Sequence, residues 1–243
     1  MAATPSRKAG AEPPGLPAEC PKCAGYGYVI GADDVARPCD CDVLLRRGAR
    51  GRIDTAGIPE RFREKSLSSY KAAKGDRQRA AIVDAARSYA TTFGAGEERG
   101  LILRGMPGCG KTHIAVAILR EVVARGFHGH FANFNDLLSR FREAYGDNAS
   151  TTEAELLSPL EEADLLVLDD VGAESMKDWG RAQLYLIVNR RYERARATII
   201  TTNYNEDEFE RHVGLRTSSR LYEMCSMDFP PFPDQDWRKA NLR

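Results

Sequence analysis

Residues 105–112 read Gly-Met-Pro-Gly-Cys-Gly-Lys-Thr, a run whose residue types can bind phosphate groups. Its glycines let the backbone wrap around phosphates with N–H groups pointing inward, and the start of the following helix adds partial positive charge. Lys111 is expected to reach the β and γ phosphates, and the Thr112 hydroxyl is expected to bind Mg²⁺. A Gly-rich turn without a ligand is the alternative, but the full pattern in this context favours a site for ATP with magnesium. The predicted ATP contacts are Gly105, Pro107, Gly108, Cys109, Gly110, Lys111, Thr112 and His113.

An apolar run, Leu165–Leu168, ends in two neighbouring carboxylates, Asp169 and Asp170. A carboxylate at the carboxyl end of a buried strand, beside a phosphate loop, serves the magnesium ion. We therefore assign Asp169 to the magnesium shell with Thr112, and Asp170 to orienting the attacking water. The alternative is a pair of aspartates that cap a helix in the following loop.

Asn203 and two arginines follow later in the chain. Asn203 comes directly after the next strong strand and is expected beside the two aspartates, where its amide can hold the attacking water. Asn is also a common turn residue, so this assignment depends on the order along the chain. Arg216 and Arg220 lie in the run Leu-Arg-Thr-Ser-Ser-Arg-Leu, and their spacing alone assigns neither of them a role.

Four of the six cysteines form two pairs near the N terminus, Cys20-Pro-Lys-Cys23 and Cys39-Asp-Cys41. Four thiolates on a short segment match a closed, tetrahedral, structural zinc site, and a segment with so little core needs the metal to fold. The single residue inside the second pair, where two are usual, weakens the match. Four free thiols on a flexible arm are the alternative.

The composition limits the class of protein. The chain has 243 residues, enough for one α/β domain and a small appendage, and its formal net charge is zero. This balance argues against a globally basic nucleic-acid binder, and the arginines in 44–52 and 190–196 are more simply solvated faces. No run approaches the roughly 20 apolar residues of a membrane span, and residues 1–19 lack the apolar region of a secretory signal. We therefore expect a cytoplasmic protein that does not act at a membrane.

Short apolar runs that alternate with helical patterns predict the α/β class, with a parallel sheet covered on both faces. The predicted strands are 101–103, 129–132, 165–168, 198–201 and 224–227. The predicted helices are 76–93, 111–124, 136–145 and 181–194. The chain then divides into a disordered tail, a zinc-binding segment, a connector and an ATPase domain, at 1–19, 20–57, 58–75 and 76–243.

These motifs, in this order, resemble those of the DnaC/DnaI-type helicase-loader ATPases of bacteria and phages and of the related IstB transposase helpers. The resemblance extends from Ile58 to the C terminus and is carried by the phrase Ile-Pro-Glu-Arg-Phe at 58–62 and by 105–112, 165–172, 199–203 and 216–221. It implies a three-layer P-loop fold of the AAA+ type, with strand order 5-1-4-3-2 and no C-terminal helical lid. By the same resemblance, Asn203 is the sensor residue and Arg220 the arginine finger, with Arg216 as the alternative.

The resemblance also implies a function: ATP-dependent loading of a hexameric replicative DNA helicase onto single-stranded DNA, with self-assembly into an oligomer or spiral. The cysteine-bearing segment would then grip the helicase. Asp170 occupies a position where many AAA+ proteins have glutamate, so hydrolysis is expected to be slow and dependent on assembly. The alternatives are a transposase helper that acts on duplex DNA and a small-molecule kinase, which would need a lid and an acceptor pocket.

Overall fold

The computed structural model describes most of the chain, namely residues 28–30, 36–38, 56–70, 76–96, 98–146, 150–172 and 176–240. The chain divides into two compact units, residues 1–48 and 49–243. Among the described residues, no helix is long and apolar enough to cross a membrane.

In the first unit, strands β1 (Tyr28–Ile30) and β2 (Ala36–Pro38) form an antiparallel hairpin. Tyr28, at the start of β1, is paired with Pro38, at the end of β2. The four N-terminal cysteines and the tail predicted to be disordered lie outside the described residues.

The second unit is built on a five-stranded sheet in which every neighbouring pair of strands is parallel. Its strands are β3 (Gly100–Arg104), β4 (Gly129–Asn133), β5 (Leu165–Asp169), β6 (Ala197–Thr202) and β7 (Cys225–Ser226). The spatial order is β4-β5-β6-β3-β7. Counted within this sheet from the β7 edge, the order is 5-1-4-3-2, which confirms the predicted topology.

Side chains of the central strands alternate between two apolar cores, because successive residues of a strand point to opposite faces of a sheet. Leu165 and Val167 belong to one core, and Leu166 and Leu168 to the other. Helices cover both faces, as predicted. They are α1 (Arg77–Thr92), α2 (Lys111–Ala124), α3 (Phe134–Ala144), α4 (Glu153–Glu162), α5 (Asp178–Glu193), α6 (Glu206–Val213), α7 (Leu215–Met224) and α8 (Trp237–Ala240).

The sequence predictions located α1, α2, α3 and α5 but missed four helices, α4, α6, α7 and α8. Two of the missed helices begin with a capping box, in which a side chain and a glutamate three residues later satisfy each other's backbone N–H groups. These boxes pair Thr152 with Glu155 and Asn205 with Glu208. Helix α3 begins two residues before its prediction, because the Asn133 side chain accepts hydrogen bonds from the next turn.

The arginines in 190–196 are structural and do not form a simple solvated face. Arg191 is fully buried and donates hydrogen bonds to the carbonyls of Leu160, Ala163 and Ala197, which ties α5 to α4 and β6. Its neighbours Arg190 and Arg194 both pair with the buried carboxylate of Glu161. These groups are used by the fold, so this segment supplies no free basic patch for DNA.

Candidate nucleotide-binding site

The phosphate loop connects β3 to α2, and its glycines occupy conformations that other residues avoid. Gly108 and Gly110 have φ angles of 80° and 106°. A Cβ atom on Gly108 would lie 2.0 Å from Asp236 Oδ1, and one on Gly110 would lie 2.6 Å from the Tyr70 ring. Positive φ and close neighbours therefore both require glycine at these two positions.

The Lys111 side chain is buried, and its Nζ is held among three oxygen acceptors. Nζ donates to the carbonyl oxygens of Gly105, at 2.7 Å, and Met106, at 2.9 Å. It also donates to Asn203 Oδ1 at 2.8 Å. Burial lowers the pKa of Lys111 below its ordinary value, because the charged form loses solvation. The ammonium group is thus fixed between the phosphate loop and the end of β6.

Asp169 meets two hydroxyl groups at the carboxyl end of β5. Its Oδ1 accepts hydrogen bonds from Thr112 Oγ1 at 2.8 Å and from Thr201 Oγ1 at 2.7 Å. Burial raises the pKa of Asp169, and the two hydroxyl groups act against that shift. The structure therefore brings together the two residues predicted to bind magnesium. Hydroxyl and carboxylate oxygens form a donor set that suits Mg²⁺.

Asp170 has an unusual backbone for a residue other than glycine. Its φ angle is 61°, and its N–H donates to Thr201 Oγ1 at 2.9 Å. Asn203 Nδ2 donates to Asp170 Oδ1 at 3.4 Å, so Asp170 and Asn203 are neighbours, as the sequence predicted. The Thr201 hydroxyl thus serves both aspartates. Sequence reasoning gave Thr201 no role, although Thr201 lies in the motif at 199–203, two residues before Asn203.

The connector forms part of the same site. His113 Nε2 lies 2.9 Å from the carbonyl oxygen of Ser66 and 3.1 Å from Ser69 Oγ, and burial lowers the His113 pKa. The Tyr70 hydroxyl donates to the Cys109 carbonyl at 3.2 Å. His113, predicted to contact ATP, therefore also anchors the connector to α2.

A cleft of about 560 Å³ joins these groups, a volume suited to a small ligand. Sequence reasoning did not assign several of its lining residues: Arg61, Phe62, Lys65, Arg79, Asn133, Thr201 and Trp237. Arg61 and Phe62 belong to the phrase at 58–62, which was used only for its resemblance. Trp237 and Arg79 are brought to the cleft by long-range packing that no local pattern reveals.

The two late arginines lie on α7 and do not line this cleft. The Arg220 guanidinium lies over the rings of Tyr185, at 5.1 Å, and Tyr192, at 5.5 Å. Arg216 is exposed. Within the part of the chain that the structure describes, neither arginine therefore reaches the phosphate loop of its own molecule.

The described residues contain no group of three or more His, Cys, Asp or Glu side chains placed to hold a metal ion. The two cysteines within the described ranges, Cys109 and Cys225, are free and buried. The predicted zinc ligands Cys20, Cys23, Cys39 and Cys41 fall outside those ranges.

The phosphate loop, the paired aspartates and the strand order together define a P-loop ATP-binding protein of the AAA+ type. The sequence pattern of the family described as IstB-like ATP binding protein matches residues 56–217. This chain belongs to that family.

Similar proteins share this fold and part of the sequence. The replicative helicase loader DnaC of Escherichia coli K12 is 33% identical over 136 residues, which are 56% of this chain and 55% of that protein. The match thus spans about half the length of this relative. The crystal structure of a DnaC helicase loader superposes with a TM-score of 0.62 at 29% identity, covering 69% of this chain and 97% of the other. The crystal structure of DnaI, at 24% identity and a TM-score of 0.59 over 72% of this chain and 93% of the other, supports the fold.

Replacing Thr201 with Val should weaken magnesium-dependent ATP binding. The substitution removes the hydroxyl that donates to Asp169, so the Asp169 pKa rises further and protons compete better for its carboxylate as pH falls. Since a hydrogen bond to a charged group contributes about 1.5–3 kcal/mol, the Mg²⁺ concentration for half-maximal ATP binding should rise roughly tenfold. Calorimetric titration of ATP at stepped Mg²⁺ concentrations measures this shift.

Thr202→Val is the matched control, because Thr202 is buried on the opposite face of the same strand. Its hydroxyl accepts from the Tyr204 N–H and does not contact Asp169. Equal Mg²⁺ dependence in the two variants would contradict the role given to Thr201.

Proposed function

We propose that this protein is an ATP-dependent loader, which holds a hexameric replicative DNA helicase and places it on single-stranded DNA during replication. The observation that carries the proposal is the convergence of Lys111, Thr112 and Asp169 in one cleft, in a fold similar to that of a helicase loader. ATP binding sets the assembly state of the loader, and hydrolysis releases it. This role implies a cytoplasmic protein.

The proposed chemistry uses residues that line the cleft. Thr112 and Asp169 hold Mg²⁺, which neutralises phosphate charge when it is bound. Lys111 leaves its internal acceptors and pairs with the β and γ phosphates. Asp170 and Asn203 hold and orient the attacking water. The short Asp170 side chain keeps its carboxylate back from that water, which makes turnover slow.

Arg220 is proposed to act on a neighbouring molecule. Its place on α7, outside the lining of the cleft of its own chain, supports this assignment, since an arginine finger is often supplied by a neighbouring molecule. Arg216, one helical turn earlier and exposed, is the alternative. Hydrolysis then depends on assembly of the loader into an oligomer or spiral with ATP.

The N-terminal unit is proposed to bind one zinc ion and to grip the helicase. The β1–β2 hairpin supports this proposal, because Tyr28 and Pro38 are paired, and these residues follow and precede the two cysteine pairs in sequence. The chain that leads from Cys23 to Tyr28 and the chain that continues from Pro38 to Cys39 therefore meet the hairpin at the same end. Cys20, Cys23, Cys39 and Cys41 supply the four thiolates.

The loading function is tested by the partner that stimulates ATP turnover. Single-stranded DNA with the cognate replicative helicase should raise turnover, and helicase activity on protein-coated single strands should depend on this protein and ATP. Stimulation by long duplex DNA alone would indicate a transposase helper, and phosphoryl transfer to a nucleoside would indicate a kinase.

Lys111→Ala should reduce ATP affinity or turnover by roughly an order of magnitude or more, because the site is mainly electrostatic. Lys177→Ala is the control, since Lys177 is exposed and does not line the cleft.

Arg220→Ala should bind ATP almost normally and hydrolyse it poorly, because loss of an arginine finger typically costs about 10³–10⁵ in rate. Mixing this variant with Lys111→Ala should partly restore turnover, since mixed interfaces pair an intact loop with an intact arginine. Steady-state turnover of the mixture at several protein concentrations measures the effect. If the mixture stays inactive while both variants assemble, the action on a neighbour is refuted. Arg216→Ala, assayed in parallel, shows which arginine reaches the phosphate.

Protein purified without chelators should contain about one zinc ion per chain, as a closed four-thiolate site predicts. Cys→Ser changes at the four ligands should abolish helicase binding and leave ATP binding nearly intact. Elemental analysis together with helicase pull-down measures both. Absence of zinc from such a preparation would contradict the assignment, and Cys225→Ser serves as a control outside the N-terminal unit.

A further inference from the structure

The chain after β7 turns back onto the phosphate loop. The backbone N–H of Trp237 donates to the Gly108 carbonyl at 3.2 Å, and Gln78 Nε2 on α1 donates to the Pro231 carbonyl at 3.0 Å. Phe232, only 6% exposed, packs into the core beside Gly105, where a Cβ atom would lie 3.1 Å from the Phe232 Cβ. Residues 229–237, which we call the C-terminal segment, are thus fixed along the loop by backbone and apolar contacts.

Trp237, at the end of this segment, presents an aromatic surface to the cleft. The guanidinium carbon of Arg79, which belongs to α1, lies 3.6 Å from the Trp237 ring centroid and 4.8 Å from the Tyr70 ring centroid. A cation over an aromatic face is attracted by the ring quadrupole, so Arg79 holds Trp237 in place. The Trp237 side chain is half-buried and lines the cleft with Pro107 and Gly108.

The Trp237 indole also has an unused hydrogen-bonding group. Its Nε1 is buried and has no hydrogen-bond partner among the described residues. This N–H lies in the plane of the ring and is sheltered from solvent, so a ligand in the cleft contacts the face of the ring and not this donor. A flat aromatic ligand fits such a face, and a purine base is one.

We propose that Trp237, held by Arg79, forms the nucleoside-binding wall of the cleft and stacks on the base of the bound nucleotide. This inference rests on the proposed binding of ATP at the phosphate loop. The groups that serve phosphate and magnesium meet at the ends of β5 and β6, whereas Trp237 lies against Gly108 within the phosphate loop. The C-terminal segment therefore supplies selectivity for a nucleoside over a bare polyphosphate chain.

Tryptophan fluorescence tests the contact directly. The chain has two tryptophans, and Trp179 on α5 does not line the cleft, so Trp179→Phe leaves Trp237 as the single reporter. Mg²⁺ with ATP or ADP should change the Trp237 emission and protect it from acrylamide quenching, whereas inorganic tripolyphosphate should not. Trp237→Phe, which keeps only Trp179, is the matched control and should show no nucleotide-dependent change. An emission change that tripolyphosphate reproduces fully would overturn the proposal.

Affinity provides the second test. Because base–aromatic stacking is worth about 1–3 kcal/mol, Trp237→Ala should weaken ATP binding roughly 5- to 150-fold. Tripolyphosphate binding should be unchanged, and Trp237→Phe should retain most of the ATP affinity. Equal weakening of both ligands, unchanged ATP affinity, or tighter ATP binding in Trp237→Ala would each overturn the inference.

The Lys111→Ala variant distinguishes this inference from the proposal on which it rests. Loss of the Lys111 charge should weaken ATP and tripolyphosphate together, because both present phosphates to the loop. If the parent protein binds neither ligand, ATP binding itself is refuted and the inference falls with it. If the parent protein binds ATP and tripolyphosphate, and the Trp237 variants bind both ligands as tightly as the parent does, the nucleoside wall is refuted but ATP binding is not.

Discussion

The parallel pairing of β3, β5 and β6 is the constraint on which the rest of the site depends. Parallel strands end at the same edge of a sheet, so this pairing brings the phosphate loop, the two aspartates and Asn203 to one line. Thr201 faces Leu103 in this register, and its hydroxyl lies within hydrogen-bonding distance of Asp169. The backbone ladder of the sheet therefore fixes the spacing of the strand ends that carry these groups.

The cleft keeps opposite charges close together inside the protein. Burial shifts the pKa of Lys111 downward and that of Asp169 upward, so each shift favours the neutral form of its group. Hydrogen bonds from Thr112 and Thr201 to Asp169, and from Lys111 to nearby oxygens, offset this cost. The fold thus keeps charged groups at a place where a ligand carrying both a cation and anionic oxygens can bind.

Much of this arrangement could be predicted from sequence because the informative signals are local. A few neighbouring residues are enough to identify the phosphate loop, the helix at 111–124 and the apolar strand before Asp169. The strand order was implied by the resemblance. The connector and Trp237 could not be predicted in the same way, since their place at the cleft depends on packing between distant parts of the chain. Arg191 shows the same limit. The composition of 190–196 suggests an exposed basic run, whereas the Arg191 guanidinium is buried among the carbonyl groups of Leu160, Ala163 and Ala197.

The left-handed backbone at Asp170 restricts which side chains can evolve at this position. Among residues other than glycine, aspartate and asparagine tolerate a positive φ best, whereas a longer side chain gains no local hydrogen bond to offset the strain. The aspartate that orients water in our proposal is therefore also the acidic residue that this turn accommodates most easily. In the same proposal, glutamate here would bring its carboxylate nearer to the water but would occupy a less favourable backbone conformation, which the Val171 N–H bond to the Thr201 carbonyl holds in place. In our proposal, slow turnover and the geometry of this turn therefore have a common origin in one residue.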